Sequence, residues 1–374
     1  MGPNEPRMRS IVMAMAEPIT PYLNAIGTAV PRHDIHDAFI GWARDRLPNR
    51  QRKLFDRMAS RAAINHRWSV LPGEAGSPVG DAGFYAGDLL PGTAARMTIY
   101  AEAAPRLALA AIAELQQQVS IDGATHLVVA SCTGFVAPGI DQIVARALGL
   151  PPTIERTLIG FMGCYAAVAA LRTARHIVRS EPCARVLVVT VELSTLHLQA
   201  VNEIEPLLAM LQFGDGAAAA MVSADQHGLA IGQPFATTLA ESDRLIRWDI
   251  TDTGFAMHLS GEVPARIAAA LADRELVRAI TAGHDARDVD AWAVHAGGRS
   301  ILDAVEHALD LTTRALDDSR AVLADNGNMS SATLMFVLAR ILARAEVHRG
   351  VALAFGPGLA AEGFAFGPRA EACA

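Results

Sequence analysis

Lysine is nearly missing from this chain: of 32 basic residues only Lys53 is one, a bias assigned to genomic composition. Charged residues amount to 19%, the formal net charge is −7, and no dense basic stripe spans the sequence, which argues against a nucleic-acid partner. Four cysteines (Cys132, Cys164, Cys183, Cys373) are too few and too scattered for a disulfide framework. No C-x-x-C pair or His/Cys cluster suggests zinc, so no metal is expected. No run approaches the ~20 apolar residues of a membrane span. The apolar patch at residues 11–16 is cut short by Glu17 and Pro18, too early for a signal peptide. Low-complexity segments and repeats of 20–50 residues are also lacking. These absences predict a soluble cytoplasmic protein with reduced thiols.

What is present is core. Hydrophobic residues make up 51% of 374, enough for about two domains or one large duplicated one. Apolar runs of strand length recur at Thr125–Ser131, Arg185–Glu192, Ala217–Ser223, Asp290–Ala296 and Gly350–Gly356. Between them lie stretches with helical apolar spacing, such as Ala103–Val119 and Cys164–Val178. The alternation predicts a doubly covered α/β architecture. The polar, turn-prone Ser223–Gly228 suggests a soft boundary, dividing the chain into halves 1–227 and 228–374.

Three side chains fall where strands end or helices begin. Cys164 follows Gly160-Phe-Met-Gly163 and opens an Ala-rich helix; His295 ends an apolar run before Gly297-Gly298; Asn328 follows Gly327 ahead of a long helix. In an open α/β sheet such positions gather in one crevice. A cysteine at a helix N-terminus is biased toward the thiolate, and a neighbouring histidine would lower its pKa further as an ion pair. His and Asn together can donate two hydrogen bonds to a developing oxyanion. Pattern alone leaves a plainer reading open: an inert core cysteine, a turn histidine and a helix-capping asparagine. The inert-core reading suits Cys183, Cys373 and Cys132.

Six segments in order then resemble one family: SCTGFVAPGID (Ser131–Asp141), GFMGCYAA (Gly160–Ala167), FGDGAAA (Phe213–Ala219), HAGGRSILD (His295–Asp303), GNMSSATLMF (Gly327–Phe336) and FGPGL (Phe355–Leu359). The chain resembles the type III polyketide synthases, chalcone and stilbene synthase-like enzymes, of bacterial type, from about Tyr22 to Phe366. That resemblance implies a thiolase-like αβαβα layered sandwich of two similar halves, acting as a homodimer. It implies coenzyme A thioesters as substrates, with no permanently bound cofactor and no carrier protein. Cys164 would be the nucleophile, with His295 and Asn328 completing the catalytic set. Phe213 matches a gating aromatic, and Gly356, Pro357 and Gly358 match a loop that scaffolds the cavity. Cys132, Ser194 and Ser330 fall at further cavity positions, and Gly297 and Gly298 at coenzyme A positions.

Lys53, Arg57 and Arg61 share one helical face that would hold coenzyme A phosphates, although the family's lysine aligns with Leu54. The plainer reading of that stripe is a solvated helix face. Met257 stands where a second gating Phe is common, and His197 and Trp248 occupy cavity positions that chalcone-forming members often keep small. Ala137 replaces a methionine that in plant members reaches the partner's cavity. These departures point to a short product, a triketide or tetraketide pyrone or resorcinol-type ring, from an aliphatic or other non-bulky starter. The rival is a tunnel beyond these residues that admits long acyl chains. Alternatives to the whole reading are a coenzyme A-primed ketoacyl synthase of fatty acid synthesis and a catalytically silent thiolase-fold binding protein.

Overall fold

The computed structural model describes residues 19–71, 78–80, 82–87, 90–344 and 347–368. Cys373 and the apolar patch at residues 11–16 lie outside them. The first part of the chain runs β1 (Tyr22–Ala29), β2 (His33–Asp34), α1 (His36–Arg46), α2 (Asn49–Arg61), β3 (Trp68–Ser69), α3 (Thr93–Gln116), β4 (His126–Ser131), α4 (Ile140–Ala147), β5 (Glu155–Gly160), α5 (Ala166–Ser180), β6 (Val186–Leu193), α6 (Ile204–Met210) and β7 (Asp215–Ser223). It continues with β8 (Leu229–Thr238), β9 (Ile246–Thr251), β10 (Gly254–Leu259), α7 (Val263–Ala270), α8 (Arg274–Ile280), β11 (Ala291–Val294), α9 (Arg299–Ala308), α10 (Asp317–Asn326), α11 (Ser331–Leu342), β12 (Gly350–Gly356) and β13 (Ala360–Gly367).

Nine strands hydrogen-bond in the order β11-β12-β13-β8-β1-β7-β6-β4-β5. Parallel pairs lie at the two ends, β11 with β12, and β4 with both β6 and β5; the middle is antiparallel. Central strands such as β6 and β7 are buried along their whole length. Their apolar runs are continuous whichever way the strands point, because helices cover both faces. Ser223–Gly228 links β7 to β8, strands on either side of β1, and β8 meets β1 at Tyr22–Ala230 and Leu23–Leu229.

The layering follows from helix packing. Helix α3 covers β1, β7 and β6 from outside. Helices α5 and α11 touch each other and lie between the half-sheets: α5 packs on β4, β6, β7 and β13, α11 on β1, β6, β7, β11 and β12. Outer helices α8 and α10 pack on β13 and β11. These five layers are the expected αβαβα sandwich. Small residues make the inner layer possible: Ala166, Ala167, Ala170 and Ala174 on α5 and Ala218 and Ala220 on β7 are fully buried. Cys183 does not join this core; it is exposed in the turn after α5, where the chain reverses toward β6.

Leu171 on α5 is fully buried in the cluster between the half-sheets. Leu171→Ala is therefore expected to lower unfolding free energy by about 2–5 kcal/mol, measured by denaturant titration. A loss within the range of an exposed substitution would show that the inner layer is loosely packed.

Candidate active site

The turn carrying Cys164 is shaped by its glycine. After β5 the chain passes through Phe161 (φ 55°) and Gly163 (φ 81°), both left-handed. A Cβ on Gly163 would lie 2.3 Å from Pro357 Cδ, so a larger residue cannot enter. The Gly163 N–H donates to Cys132 Sγ at 2.9 Å. A Cβ on Gly356 would lie 3.3 Å from Cys164 N, so the Gly356–Gly358 loop packs directly on this turn. Cys164 is buried just ahead of α5, which starts at Ala166.

Asn328 lies between α10 and α11, after the left-handed Gly327 (φ 68°). Its N–H donates to Gln212 O at 2.7 Å, and Gly214 N–H donates to Asn328 O at 3.0 Å. Fully buried Arg67 holds the same segment, donating to Met210 O (3.0 Å) and Phe213 O (2.8 Å). The Asn328 side chain donates from Nδ2 to Gly297 O at 3.2 Å, and its Oδ1 accepts from the Ser330 N–H at 2.8 Å. Gly297 N–H in turn donates to His295 O at 2.9 Å. The His295 ring is 1% exposed, and neither of its nitrogens has a hydrogen-bond partner among the described residues.

Burial dominates the electrostatics. It pushes the Cys164 thiol up to about 12, against the Ser330 and Asn328 side chains, which favour the thiolate. It pushes His295 down to about 3. This differs from the lowered thiol that the helix start suggests: for each group titrating alone, desolvation outweighs the dipole. Below the thiol lies buried Glu192, which accepts from Cys132 N–H (2.9 Å), Thr133 Oγ1 (2.9 Å) and Ser331 Oγ (2.5 Å). Burial raises its carboxyl to about 7 in spite of these donors.

A cavity of about 200 Å³ is lined by Ser194, His197, Met210, Phe213, Trp248, Phe255 and Met257, among others. His197 is a neutral clamp: Nε2 donates to Thr133 O (2.7 Å) and Nδ1 accepts from Phe255 N–H (3.0 Å). Its ring stacks on Phe255 at 4.2 Å, and Trp248 presents an edge to it at 6.0 Å. Ser194 Oγ and Trp248 Nε1 are buried without a partner among the described residues.

Cys132, Ala137, Ser330, Gly356, Pro357 and Gly358 do not line this cavity. The Cys132 sulfur is turned under Gly163, and Ala137 is exposed on the loop after β4. On α2, Lys53, Arg57 and Arg61 are exposed and without an ion-pair partner among the described residues, beside exposed Leu54 and Met58. No trio of His, Cys, Asp or Glu among the described residues could hold a metal.

Sequence reasoning missed Phe255, Glu192 and Arg67. Phe255 lies two residues before Met257 on the same strand, so period-two reading would have found it. Glu192 is the one acid in an apolar run, a weaker signal. Nothing local distinguishes Arg67.

Residues 10–226 match the family described as chalcone and stilbene synthases, N-terminal domain, and residues 231–367 the corresponding C-terminal domain. The chain is 35% identical over 251 residues to the "alpha-pyrone synthesis polyketide synthase-like Pks18" of Mycobacterium tuberculosis and of Mycobacterium bovis. That alignment covers 64% of this chain and 64% of the relative, so the match spans a little under two thirds of the relative's length. Among solved structures, PKS-I from the brown alga Ectocarpus siliculosus is 28% identical, with a TM-score of 0.85 over 94% of this chain and 99% of that one. The C-terminal type III polyketide synthase domain of Steely1, a type I/III hybrid from Dictyostelium, shares the fold at TM-score 0.85 and 23% identity, over 93% of this chain and 99% of that one.

Burial also depresses His36, to about 4, and His197, to about 3, so three histidines stay neutral in the fold well below their ordinary 6.5. The unfolded chain then binds more protons, and stability falls as pH drops below about 6.5. Buried Glu192 and Asp215, both raised to about 7, act in the opposite sense, so variant minus parent is the informative difference. Between pH 6.5 and 5, His295→Gln should lose on the order of 2 kcal/mol less than the parent, read from urea midpoints. An identical pH dependence would mean that His295 is protonated in the fold.

Proposed function

The chain belongs to the chalcone and stilbene synthase family, the type III polyketide synthases, and we propose that it extends a starter acyl-CoA with malonyl units on Cys164. The observation that carries this reading is a chain of contacts. Cys164 lies toward Asn328 and Ser330, Asn328 bonds Gly297, and Gly297 bonds the backbone of His295, whose ring has no partner among the described residues; all are buried, ahead of α5 and α11.

Each group alone resists ionisation, but proton transfer from Cys164 to His295 brings no net charge into the pocket. Two helix N-termini then favour the thiolate. The thiolate attacks the starter thioester, forming a new C–S bond, and the coenzyme A thiolate leaves with the proton held by His295. Malonyl-CoA follows; its carboxylate C–C bond breaks, CO2 departs, and the electron pair becomes an enolate. His295 and Asn328 donate to the enolate oxygen. The enolate carbon attacks the acyl-Cys164 carbonyl, the same donors hold the tetrahedral oxyanion, and the Cys164 thiolate is released. Repetition and ring closure complete the product.

Lys53, Arg57 and Arg61 suit the coenzyme A phosphates, and exposed Leu54 and Met58 beside them offer apolar surface to its nucleoside. The cavity supports a short product. A cavity of ~150 Å³ takes one benzene ring, so about 200 Å³ fits one small ring with little more. Ser194 and Trp248 offer free donors to keto oxygens. A homodimer is supported by β5, an exposed strand at the sheet's end, with Leu158 and nearby Phe135 each 47% exposed. Among the described residues no helix is long and apolar enough to cross a membrane, and unpaired Cys132, Cys164 and Cys183 suit a cytoplasmic setting.

Incubation with labelled malonyl-CoA and a panel of starter CoAs tests the activity, with products identified by mass spectrometry. Cys164→Ala should abolish product while keeping the fold. Asn328→Ala should cut malonyl-CoA decarboxylation by on the order of 100–1000-fold yet still load a starter, whereas His295→Ala should impair both. Normal decarboxylation by Asn328→Ala would refute its role.

Trp248→Gly should enlarge the cavity, so products with additional malonyl units should appear from a single starter. An unchanged product spectrum would mean that Trp248 does not limit chain length.

A further inference from the structure

We infer that Arg299 binds a phosphate of the coenzyme A carrier, alongside the α2 stripe. This rests on the proposed use of coenzyme A thioesters and extends it to a residue that no sequence pattern singled out.

Arg299 is the first residue of α9, directly after Gly297 and Gly298. Its Nη1 donates to Arg61 O at 3.3 Å, which brings its guanidinium to the C-terminal end of α2. Arg299 thus reaches the end of α2 that carries Arg57 and Arg61, with Lys53 one turn before Arg57.

The placement is unfavourable unless an anion is present. A cation in the first turn of a helix opposes the positive dipole end, and α9 starts on Gly298 with no side-chain cap. The nearest acid compensates poorly. Asp303 Oδ2 lies 3.5 Å from Arg299 Nε, a half-exposed i,i+4 pair in the weaker order, cation before acid. The other oxygen of Asp303 is held at 2.8 Å by Arg320, which Glu306 also pairs. In a chain of net charge −7, this is a local excess of positive charge two residues from Gly297, which Asn328 bonds. A guanidinium anchored through one N–H to a helix carbonyl keeps other N–H groups free for a phosphate, which it can grip with two of them.

The test compares the parent, Arg299→Gln and Arg299→Lys on malonyl-CoA and on malonyl-pantetheine, which lacks the phosphates, with calorimetry of coenzyme A binding alongside. Arg299→Gln should raise KM for malonyl-CoA, and Kd for coenzyme A, by about tenfold at low salt, while KM for malonyl-pantetheine shifts less than about twofold. Arg299→Lys should recover part of the loss, and 0.5 M salt should shrink it. Equal shifts for both thioesters, or none, would overturn the inference. If the parent binds coenzyme A but makes no product, the proposed function fails while the Kd comparison still decides Arg299. If the parent does not bind coenzyme A, both fail.

Discussion

Two backbone hydrogen bonds, Asn328 N–H to Gln212 O and Gly214 N–H to Asn328 O, tie the segment carrying Phe213 to the one carrying Asn328. These segments are more than a hundred residues apart in sequence, and neither is a regular strand at this point. The first segment is braced by Arg67, whose guanidinium bonds Met210 O and Phe213 O, meets His36 Nδ1 at 3.1 Å and lies 4.5 Å over the Phe39 ring. Burying an arginine is costly unless its donors are used. Two of those contacts are spent on Met210 and Phe213 in the cavity wall, and the two backbone bonds then fix Phe213 relative to the candidate oxyanion donor Asn328.

The second constraint is dryness. Cys164, His295, Asn328, Glu192 and Asp215 are all buried, and each titratable one is held toward its neutral form. In such surroundings every aligned donor counts for more than it does in water, and every misaligned one costs more. The packing that achieves this is made of alanines. A helix layer with larger side chains could not lie between two half-sheets closely enough to bring the starts of α5 and α11 together.

Much of this was legible in the sequence. Apolar runs of strand length located β4, β6, β7, β11 and β12, and glycines beside Cys164, His295 and Asn328 marked the tight junctions. The antiparallel middle of the sheet was not legible, since strands buried on both faces read alike in either direction. Nor was the high thiol pKa, because a helix start is visible in one dimension and burial is not. Phe255 hid in plain alternation beside Met257. Arg67 was invisible because its partners are carbonyls contributed by Met210 and Phe213, far along the chain.

The wall of the cavity has a different pedigree from its floor. Trp248 and Met257 are cross-strand partners on β9 and β10, a two-stranded ribbon that shares no hydrogen-bonded pairing with the nine-stranded sheet. Cys164 and its neighbours are buried in the layered core, where almost any change disturbs packing. On the ribbon Trp248 and Met257 are only half-buried, whereas Phe255 is buried against His197. A substitution at Trp248 or Met257 would therefore reshape the cavity while leaving every pairing of the nine-stranded sheet in place.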